Sequence, residues 1–129
     1  MRTLRIALLV LLLLGGLLGC DAGNDPSSSG DGSASQSIVA QAEGRTWIDV
    51  RTPAEYADAH LLGAVNIDLQ SADFRQRIAE LPRDGSYLVY CRSGNRSATA
   101  AGIMSELGFT DVVDGGGFAA LVAAGLPEA

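Results

Sequence analysis

The chain has no lysine, a single histidine and only two cysteines among its 129 residues. Cysteine and histidine in these numbers are too few to build a structural zinc site, so we expect no metal centre. Arginine supplies all nine basic residues, and 15 acidic residues bring the formal net charge to −6. Such an acidic chain is not expected to bind nucleic acid or to adhere electrostatically to anionic lipid.

The longest apolar run lies at the N-terminus. Arg2 and Arg5 precede it, residues 6–14 are apolar without interruption, and small residues come just before Cys20. The stretch over residues 6–19 is shorter than the roughly 20 residues that a bilayer-spanning helix needs. A basic start, a short apolar segment and small residues before a cleavage point are typical of a secretory signal peptide, which we predict over residues 1–19.

The end of the predicted signal peptide, Leu-Leu-Gly-Cys at residues 17–20, resembles a bacterial lipobox. The resemblance implies that the thiol of Cys20 receives a diacylglycerol and that the chain is cut just before it. Residues 21–37 contain no apolar side chain larger than alanine, so residues 20–37 are predicted to be the lipidated cysteine and a flexible linker. The expected location is extracytoplasmic, lipid-anchored on the periplasmic side of the cell membrane. An ordinary secretory signal with a chance cysteine is the alternative.

Residues 38–129 alternate between strand-like and helix-like segments, and we predict that they form one domain. Strands are predicted over residues 46–50, 64–67, 87–90 and 110–113. Helices are predicted after a cap at Thr52, over residues 71–81 with Ser71 as the cap, and over residues 97–107 and 118–124, with a short helical remnant at 38–42. The three glycines at residues 115–117 are expected to end the last strand. This alternation predicts an α/β fold with a mainly parallel sheet, in which sites lie at the carboxyl ends of strands.

Cys91 directly follows the apolar strand at residues 87–90 and precedes a predicted helix. At such a position backbone N–H groups converge and the helix dipole is positive, and Arg92 and Arg96 flank the thiol. Both effects favour the thiolate, which is the nucleophilic form of cysteine. If Cys20 is acylated, Cys91 is the only free thiol and no disulfide can form within the chain. A positive pocket on an acidic body suits a small anionic substrate.

Three blocks of the sequence are similar to the signatures of single-domain rhodaneses. They are Trp-Ile-Asp-Val-Arg-Thr-Pro-Ala-Glu-Tyr at 47–56, His-Leu-Leu-Gly-Ala-Val-Asn-Ile at 60–67, and Cys-Arg-Ser-Gly-Asn-Arg-Ser at 91–97 followed by Gly-Gly-Gly-Phe at 115–118. The match covers nearly all of residues 45–127, in order and at normal spacing. For residues 38–129 it implies a three-layer rhodanese-like fold, in which helices flank a small, mainly parallel sheet.

The resemblance implies sulfur transfer without a cofactor, and we expect the protein to be a monomer. In rhodaneses a donor such as thiosulfate gives its outer sulfur to the loop cysteine, here Cys91, and the resulting persulfide passes it to cyanide or a thiol. The residues whose backbone N–H groups would cradle the sulfur as an anion nest are Arg92, Ser93, Gly94, Asn95 and Arg96. The two arginines would also bind the oxyanion of the donor.

The length of the loop favours sulfur transfer over the reactions of phosphatases and arsenate reductases. Cys91 to Arg96 is a C-x4-R loop, one residue shorter than the C-x5-R loop of phosphatases, rhodanese-fold phosphatases and arsenate reductases. The shorter ring suits one sulfur atom rather than a tetrahedral oxyanion. Two other functions stay open: a sulfide-binding or sulfur-relay module that delivers to a protein partner without turnover, and thiol–disulfide exchange, against which the lack of a resolving cysteine counts.

Other polar residues near the predicted site are interpreted as structural. Asp49 is expected to hold loop N–H groups, and Arg51 is expected to pair with Glu55. The single histidine, His60, is expected to serve the fold rather than a Cys–His dyad. Two positions depart from the family pattern, with alanine in place of a common glycine and leucine in place of the usual tryptophan: Ala59 and Leu121.

Overall fold

Strands and helices alternate along residues 37–129, the part of the chain that the computed structural model describes. The elements are α1 (37–42), β1 (Thr46–Asp49), α2 (Pro53–Asp58), β2 (Val65–Asn66), α3 (Phe74–Ala79), β3 (Ser86–Cys91), α4 (Asn95–Glu106), β4 (Asp111–Gly117) and α5 (Phe118–Ala124). The four strands form one sheet in the order β2-β1-β3-β4, and all neighbours are parallel. The predicted α/β fold with a parallel sheet is therefore confirmed.

Helices cover both faces of the sheet and give the domain three layers. On one face, Ile78 of α3 and Met104 of α4 belong to the same buried cluster as Val89 of β3. On the other face, Leu121 of α5 packs in a second cluster with Leu88 of β3. Five consecutive residues of β3 are buried, because its side chains point alternately into the buried clusters on the two faces of the sheet. Continuous burial of this kind is the expected pattern for a central strand of a parallel sheet.

Helix α2 begins as the sequence predicts. The hydroxyl of Thr52 accepts from the N–H of Glu55 at 3.3 Å, and the carboxylate of Glu55 accepts from the N–H of Thr52 at 3.0 Å. Pro53 occupies the first turn, where its fixed φ and missing N–H cost nothing. This capping box satisfies two N–H groups and holds the Glu55 carboxylate in place at the start of the helix.

The glycines at residues 115–117 do not end the last strand, and that prediction is wrong. Strand β4 continues to Gly117, with an irregularity in its pairing with β3. A Cβ on Gly115 would lie 2.6 Å from a methyl carbon of Leu88, and one on Gly117 would lie 2.8 Å from the carbonyl oxygen of Arg92. Glycine is required here for the close approach of β4 to its neighbours rather than for a chain break.

Two helices start two residues or more from the predicted positions. Helix α4 begins at Asn95 instead of residue 97, because Gly94 turns the chain with a φ of +99° and becomes the N-cap. The early start brings the last residues of the loop into the first helical turn. Helix α3 begins at Phe74, while Ser71 lies in the turn that precedes it.

Within residues 37–129, no helix is both long enough and apolar enough to cross a membrane. The predicted signal peptide at residues 1–19, the lipidation site at Cys20 and nearly all of the predicted linker lie outside the described residues. The lipid anchor and the periplasmic location that depend on them stay predictions.

Candidate active site

Cys91 is the last residue of the central strand β3, so its side chain lies at the carboxyl edge of the sheet. It has no exposed surface, and the bend formed by residues 92–94 connects it to α4. The N–H of Gly94 donates to Sγ at a distance of 2.9 Å. With a φ of +99°, Gly94 adopts a left-handed conformation that a side chain would strain. Glycine at this position therefore allows the loop to aim an amide at the sulfur.

Ser97 is a second contact of the sulfur, and sequence reasoning missed it. Its side chain is fully buried in the first turn of α4. The thiol donates to Ser97 Oγ at 3.7 Å, and the hydroxyl in turn donates to the carbonyl oxygen of Gly94 at 3.0 Å. When the thiol loses its proton, this hydroxyl can rotate to donate to the anion. A serine at the start of the helix that follows a reactive cysteine is the signal that could have identified it, because such hydroxyls hydrogen-bond locally.

The surroundings of Cys91 favour its ionised form. Burial alone would raise the pKa of Cys91, but hydrogen bonds from the N–H and hydroxyl of Ser97 and from the N–H groups of Gly94 and Ser93 outweigh it, so the net pKa is lowered. These donors aim at a charge that is removed from water, where each contributes more than it would at the surface. The loop can thus hold a thiolate, or another singly charged sulfur species, without a metal ion.

The remaining residues of the loop face outward. Arg92, Ser93 and Asn95 are exposed. Arg92 forms no ion pair within 4.0 Å of any carboxylate in the described part of the chain, so its charge is available to a ligand. Among the loop residues that the sequence assigned to the cradle, the amides of Ser93 and Gly94 are the ones that act on the sulfur.

Arg96 is not a free cation. Its guanidinium donates to both carboxylate oxygens of Glu55, at 2.8 and 2.9 Å. Hydrogen bonds from Arg96 are the main reason that the pKa of Glu55 falls to about 2; burial opposes the shift, and hydrogen bonds from Thr52 assist it. The bidentate pair ties the start of α4 to the start of α2. Arg96 therefore acts first as a brace for the loop, with its charge matched before a donor arrives.

The expected pair of Arg51 with Glu55 is wrong. Arg51 instead donates to Asp49 at 2.7–3.0 Å and to the carbonyl oxygen of Ala59 at 2.7 Å. Asp49 also accepts from the N–H of Arg51 at 2.9 Å, which agrees with its expected role in holding backbone N–H groups. The guanidinium of Arg51 lies 4.4 Å from the ring centre of Phe118, the first residue of α5. This buried pair thus connects β1, the end of α2 and α5 under the site.

His60 makes structural contacts, as expected. Its Nδ1 lies 2.9 Å from the carbonyl oxygen of Tyr56, and the two rings stack with 3.8 Å between their centres. No hydrogen bond joins His60 to Cys91 within residues 37–129. A Cys–His dyad therefore receives no support from the geometry.

A pocket of about 380 Å³ opens beside the loop. Its lining combines charged side chains with a small apolar surface, contributed by Arg51, Glu55, Asp58, Ala59, Arg92, Phe118 and Ala119. Cys91 does not line the pocket, but the neighbouring residue Arg92 does. A volume near the lower end of the range for ligand sites suits a small molecule.

A family profile described as "Rhodanese-like domain" matches residues 34–124. The chain belongs to the rhodanese-like domain family. Thiosulfate sulfurtransferase PspE of Escherichia coli is 41% identical over 71 residues, which cover 55% of this chain and 68% of that enzyme. Thiosulfate sulfurtransferase GlpE of Pseudomonas entomophila is 39% identical over 87 residues, which cover 65% of this chain and 77% of that enzyme. This similarity identifies the chain as a rhodanese-type sulfurtransferase.

Solved rhodanese structures share the fold. A rhodanese from E. coli, solved with anions, is 35% identical with a TM-score of 0.57 and covers 66% of this chain and 96% of its own. A rhodanese-related protein from Thermoplasma volcanium is 31% identical with a TM-score of 0.61 and covers 74% of this chain and 93% of its own. The predicted three-layer rhodanese-like fold is therefore confirmed.

The two departures from the rhodanese pattern fit this structure without strain. Ala59 has a φ of −168°, an extended conformation that any residue adopts, so glycine is not needed there. Leu121 is buried in the same cluster as Leu88 and Tyr90, on the face of the sheet that α5 covers. Leucine thus supplies an apolar contact where rhodaneses usually have tryptophan.

We expect the substitution Ser97→Ala to make the Cys91 thiol ionise at higher pH, because the thiolate loses a hydroxyl donor. A hydrogen bond to a charged group contributes about 1.5–3 kcal/mol, so the rate of alkylation by iodoacetamide below the titration midpoint should fall about tenfold. Thiolate absorbance near 240 nm, followed against pH, measures the midpoint itself.

Thr99→Ala is the matched control for this prediction. Thr99 lies on the same helix, is exposed, and donates to the carbonyl oxygen of Asn95 rather than towards the sulfur. It should leave the alkylation profile unchanged. Identical profiles for Ser97→Ala and the wild type would show that the hydroxyl contributes nothing to the thiolate.

Proposed function

We propose that this rhodanese-type sulfurtransferase moves sulfane sulfur from thiosulfate, or a similar small anionic donor, to cyanide or a thiol through a persulfide of Cys91. The observation that carries the proposal is the buried sulfur itself, which has the N–H of Gly94 at 2.9 Å and the hydroxyl of Ser97 at 3.7 Å. Relatives that are named thiosulfate sulfurtransferase support the choice of donor.

The first half-reaction charges the cysteine. The Cys91 thiolate attacks the outer sulfur of thiosulfate, a new bond forms between the two sulfur atoms, and the S–S bond of thiosulfate breaks. Sulfite leaves with the bonding electron pair, so three negative charges are present before and after the step. Because Cys91 has no exposed surface, the bend at residues 92–94 must move aside to admit the donor. Arg92, exposed on that bend, meets the anionic donor first.

The second half-reaction returns the enzyme to its starting state. Cyanide or an acceptor thiolate attacks the outer sulfur of the persulfide, whose bond to Sγ breaks and returns its electron pair to Cys91. The products are thiocyanate or an acceptor persulfide, together with the Cys91 thiolate. Both the thiolate and the persulfide are anions, so the same backbone N–H groups stabilise the enzyme before and after each transfer.

Steady thiocyanate formation tests this proposal against a sulfur-relay module. With thiosulfate and cyanide in excess over the purified protein, we expect many thiocyanate molecules per protein molecule, with sulfite released in equal amount. A relay that serves only a protein partner would form one persulfide per chain and then stop. That single stoichiometric burst, with no further turnover, would contradict the enzymatic proposal.

We also propose that the enzyme is held at the periplasmic side of the cell membrane by acyl chains on Cys20. The lipobox-like residues 17–20 and the polar segment that follows them support the anchor. Two or three acyl chains bind a membrane stably, whereas one chain binds only marginally. The polar segment after Cys20 would then keep the domain near the membrane surface.

The substitution Cys20→Ala is expected to move the protein out of the membrane fraction, because the acceptor of the lipid is lost. Fractionation of host cells, with immunodetection of the protein in each fraction, measures the effect. Cys91→Ala is the control, since it removes a thiol from the same chain without touching the lipobox. If Cys20→Ala stays bound to the membrane, the lipid anchor is wrong and the apolar segment is retained instead.

A further inference from the structure

The pocket beside the loop contains one cation and one anion that have no ionic partner in the described part of the chain. Of its four charged side chains, Arg51 is paired with Asp49 and Glu55 is paired with Arg96. Asp58, at the end of α2, and Arg92, next to Cys91, are both exposed. Neither forms an ion pair within residues 37–129, with each other or with a third residue.

Three small or apolar side chains complete the pocket beside these charges. Ala59, Phe118 and Ala119 line it, and Phe118 is held in place against the buried guanidinium of Arg51. A ligand that matches the pocket therefore has a negative group for Arg92, a positive group for Asp58 and a short uncharged body between them. A purely anionic ligand would pair with Arg92 but would leave Asp58 without a partner.

From this arrangement we propose that the sulfur acceptor is a small thiol that carries both an ammonium and a carboxylate, that is, an amino-acid thiol. The inference rests on the proposed function, because it requires the Cys91 persulfide. The carboxylate of the acceptor pairs with Arg92 and its ammonium with Asp58, which places the thiol beside the residue that follows Cys91. The acceptor thiolate then attacks the outer sulfur, a new S–S bond forms, and the bond to Sγ breaks with its electrons returning to Cys91.

The proposal is tested with three thiols, two of which each lack one of the charged groups of the third. L-cysteine has both groups, cysteamine lacks the carboxylate, and 3-mercaptopropionate lacks the ammonium. Sulfite release from thiosulfate is a common readout, because each completed transfer allows one more donor to react. The ratio of kcat/KM between two thiols is compared between a variant and the wild type, so that differences in intrinsic nucleophilicity cancel.

In Asp58→Asn we expect the ratio of L-cysteine to 3-mercaptopropionate to fall about three- to fivefold, as the loss of a partly exposed ion pair allows. In Arg92→Gln the ratio of L-cysteine to cysteamine should fall by a similar factor. Asp84→Asn is the matched control, because this exposed aspartate precedes β3 at the opposite edge of the sheet and its neutralisation changes the net charge equally. It should leave both ratios unchanged.

Cyanide as the acceptor distinguishes failure of the amino-acid thiol from failure of the sulfurtransferase activity. If the wild type forms thiocyanate but both ratios are unchanged in Asp58→Asn and Arg92→Gln, the amino-acid thiol is wrong while the sulfurtransferase stands. Turnover with cyanide but with none of the three thiols overturns the inference in the same way. If no thiocyanate forms at all, the proposed function fails and the inference fails with it.

Discussion

Replacement of Cys91 by serine is expected to reduce thiocyanate formation at least about a thousandfold, because loss of an essential nucleophile removes most of the rate enhancement. A serine hydroxyl in the same cradle does not ionise near neutral pH, and oxygen cannot form the persulfide that carries the sulfur. The N–H of Gly94 and the hydroxyl of Ser97 would then face a neutral group. Initial rates with thiosulfate and cyanide, at equal protein concentration, measure the loss.

The size and burial of the side chain change little in this variant, so its fold should be retained. A thermal unfolding curve close to that of the wild type is the control that separates lost chemistry from lost structure. Ser105→Ala, which alters an exposed hydroxyl further along α4, should keep full activity. Residual turnover of Cys91→Ser above a few per cent would show that another group carries the sulfur.

The second large effect is expected from Arg51→Met. The Arg51 side chain is 6% exposed and its partner Asp49 is fully buried, so methionine would leave a carboxylate without a countercharge in the core. Loss of one partner of a buried ion pair destabilises a protein by about 3–5 kcal/mol. Contacts with Ala59 and Phe118 are lost as well. Urea unfolding, followed by circular dichroism, should show a much lower midpoint for the variant.

Arg75→Met is the matched control for this prediction. Arg75 also pairs with a carboxylate, Glu106, at 3.0 Å, but the two side chains are 58% and 66% exposed. An exposed pair of this kind contributes about 0–1 kcal/mol, so the same substitution should shift the midpoint little. Equal shifts for the two variants would mean that burial of the Asp49 carboxylate does not govern the effect.

Much of the fold was predictable because the determining signals are local. The cap at Thr52, followed by Pro53 and Glu55, predicts the start of α2. The continuous apolar segment at residues 87–90 predicts the central strand. The course of β4 was not predictable in this way. Glycines are normally poor strand formers. Here they pair with β3 and leave room for the close approach of Leu88 and of the loop, a tertiary contact that no local pattern shows.

In the candidate site, too, some features could be predicted from the local sequence and others could not. Cys91 and its loop were recognisable, because a strand, a thiol, a glycine and a helix start follow one another directly. The partners of the arginines were not. Arg51 and Glu55 are four residues apart and suggest a local pair. Arg51 instead pairs with Asp49, two residues before it, and Glu55 pairs with Arg96, which the fold brings to the start of α2. The Arg96–Glu55 pair depends on where the fold places the starts of α4 and α2, which no local pattern shows.

The most direct test of the central claim is the mass of the intact protein after exposure to thiosulfate without an acceptor. We expect a gain of about 32 Da, one sulfur atom, located on the peptide that contains Cys91. Addition of cyanide should remove this mass and release an equal amount of thiocyanate. No gain in mass, or a gain that cyanide leaves in place, would contradict the claim that Cys91 carries the transferred sulfur.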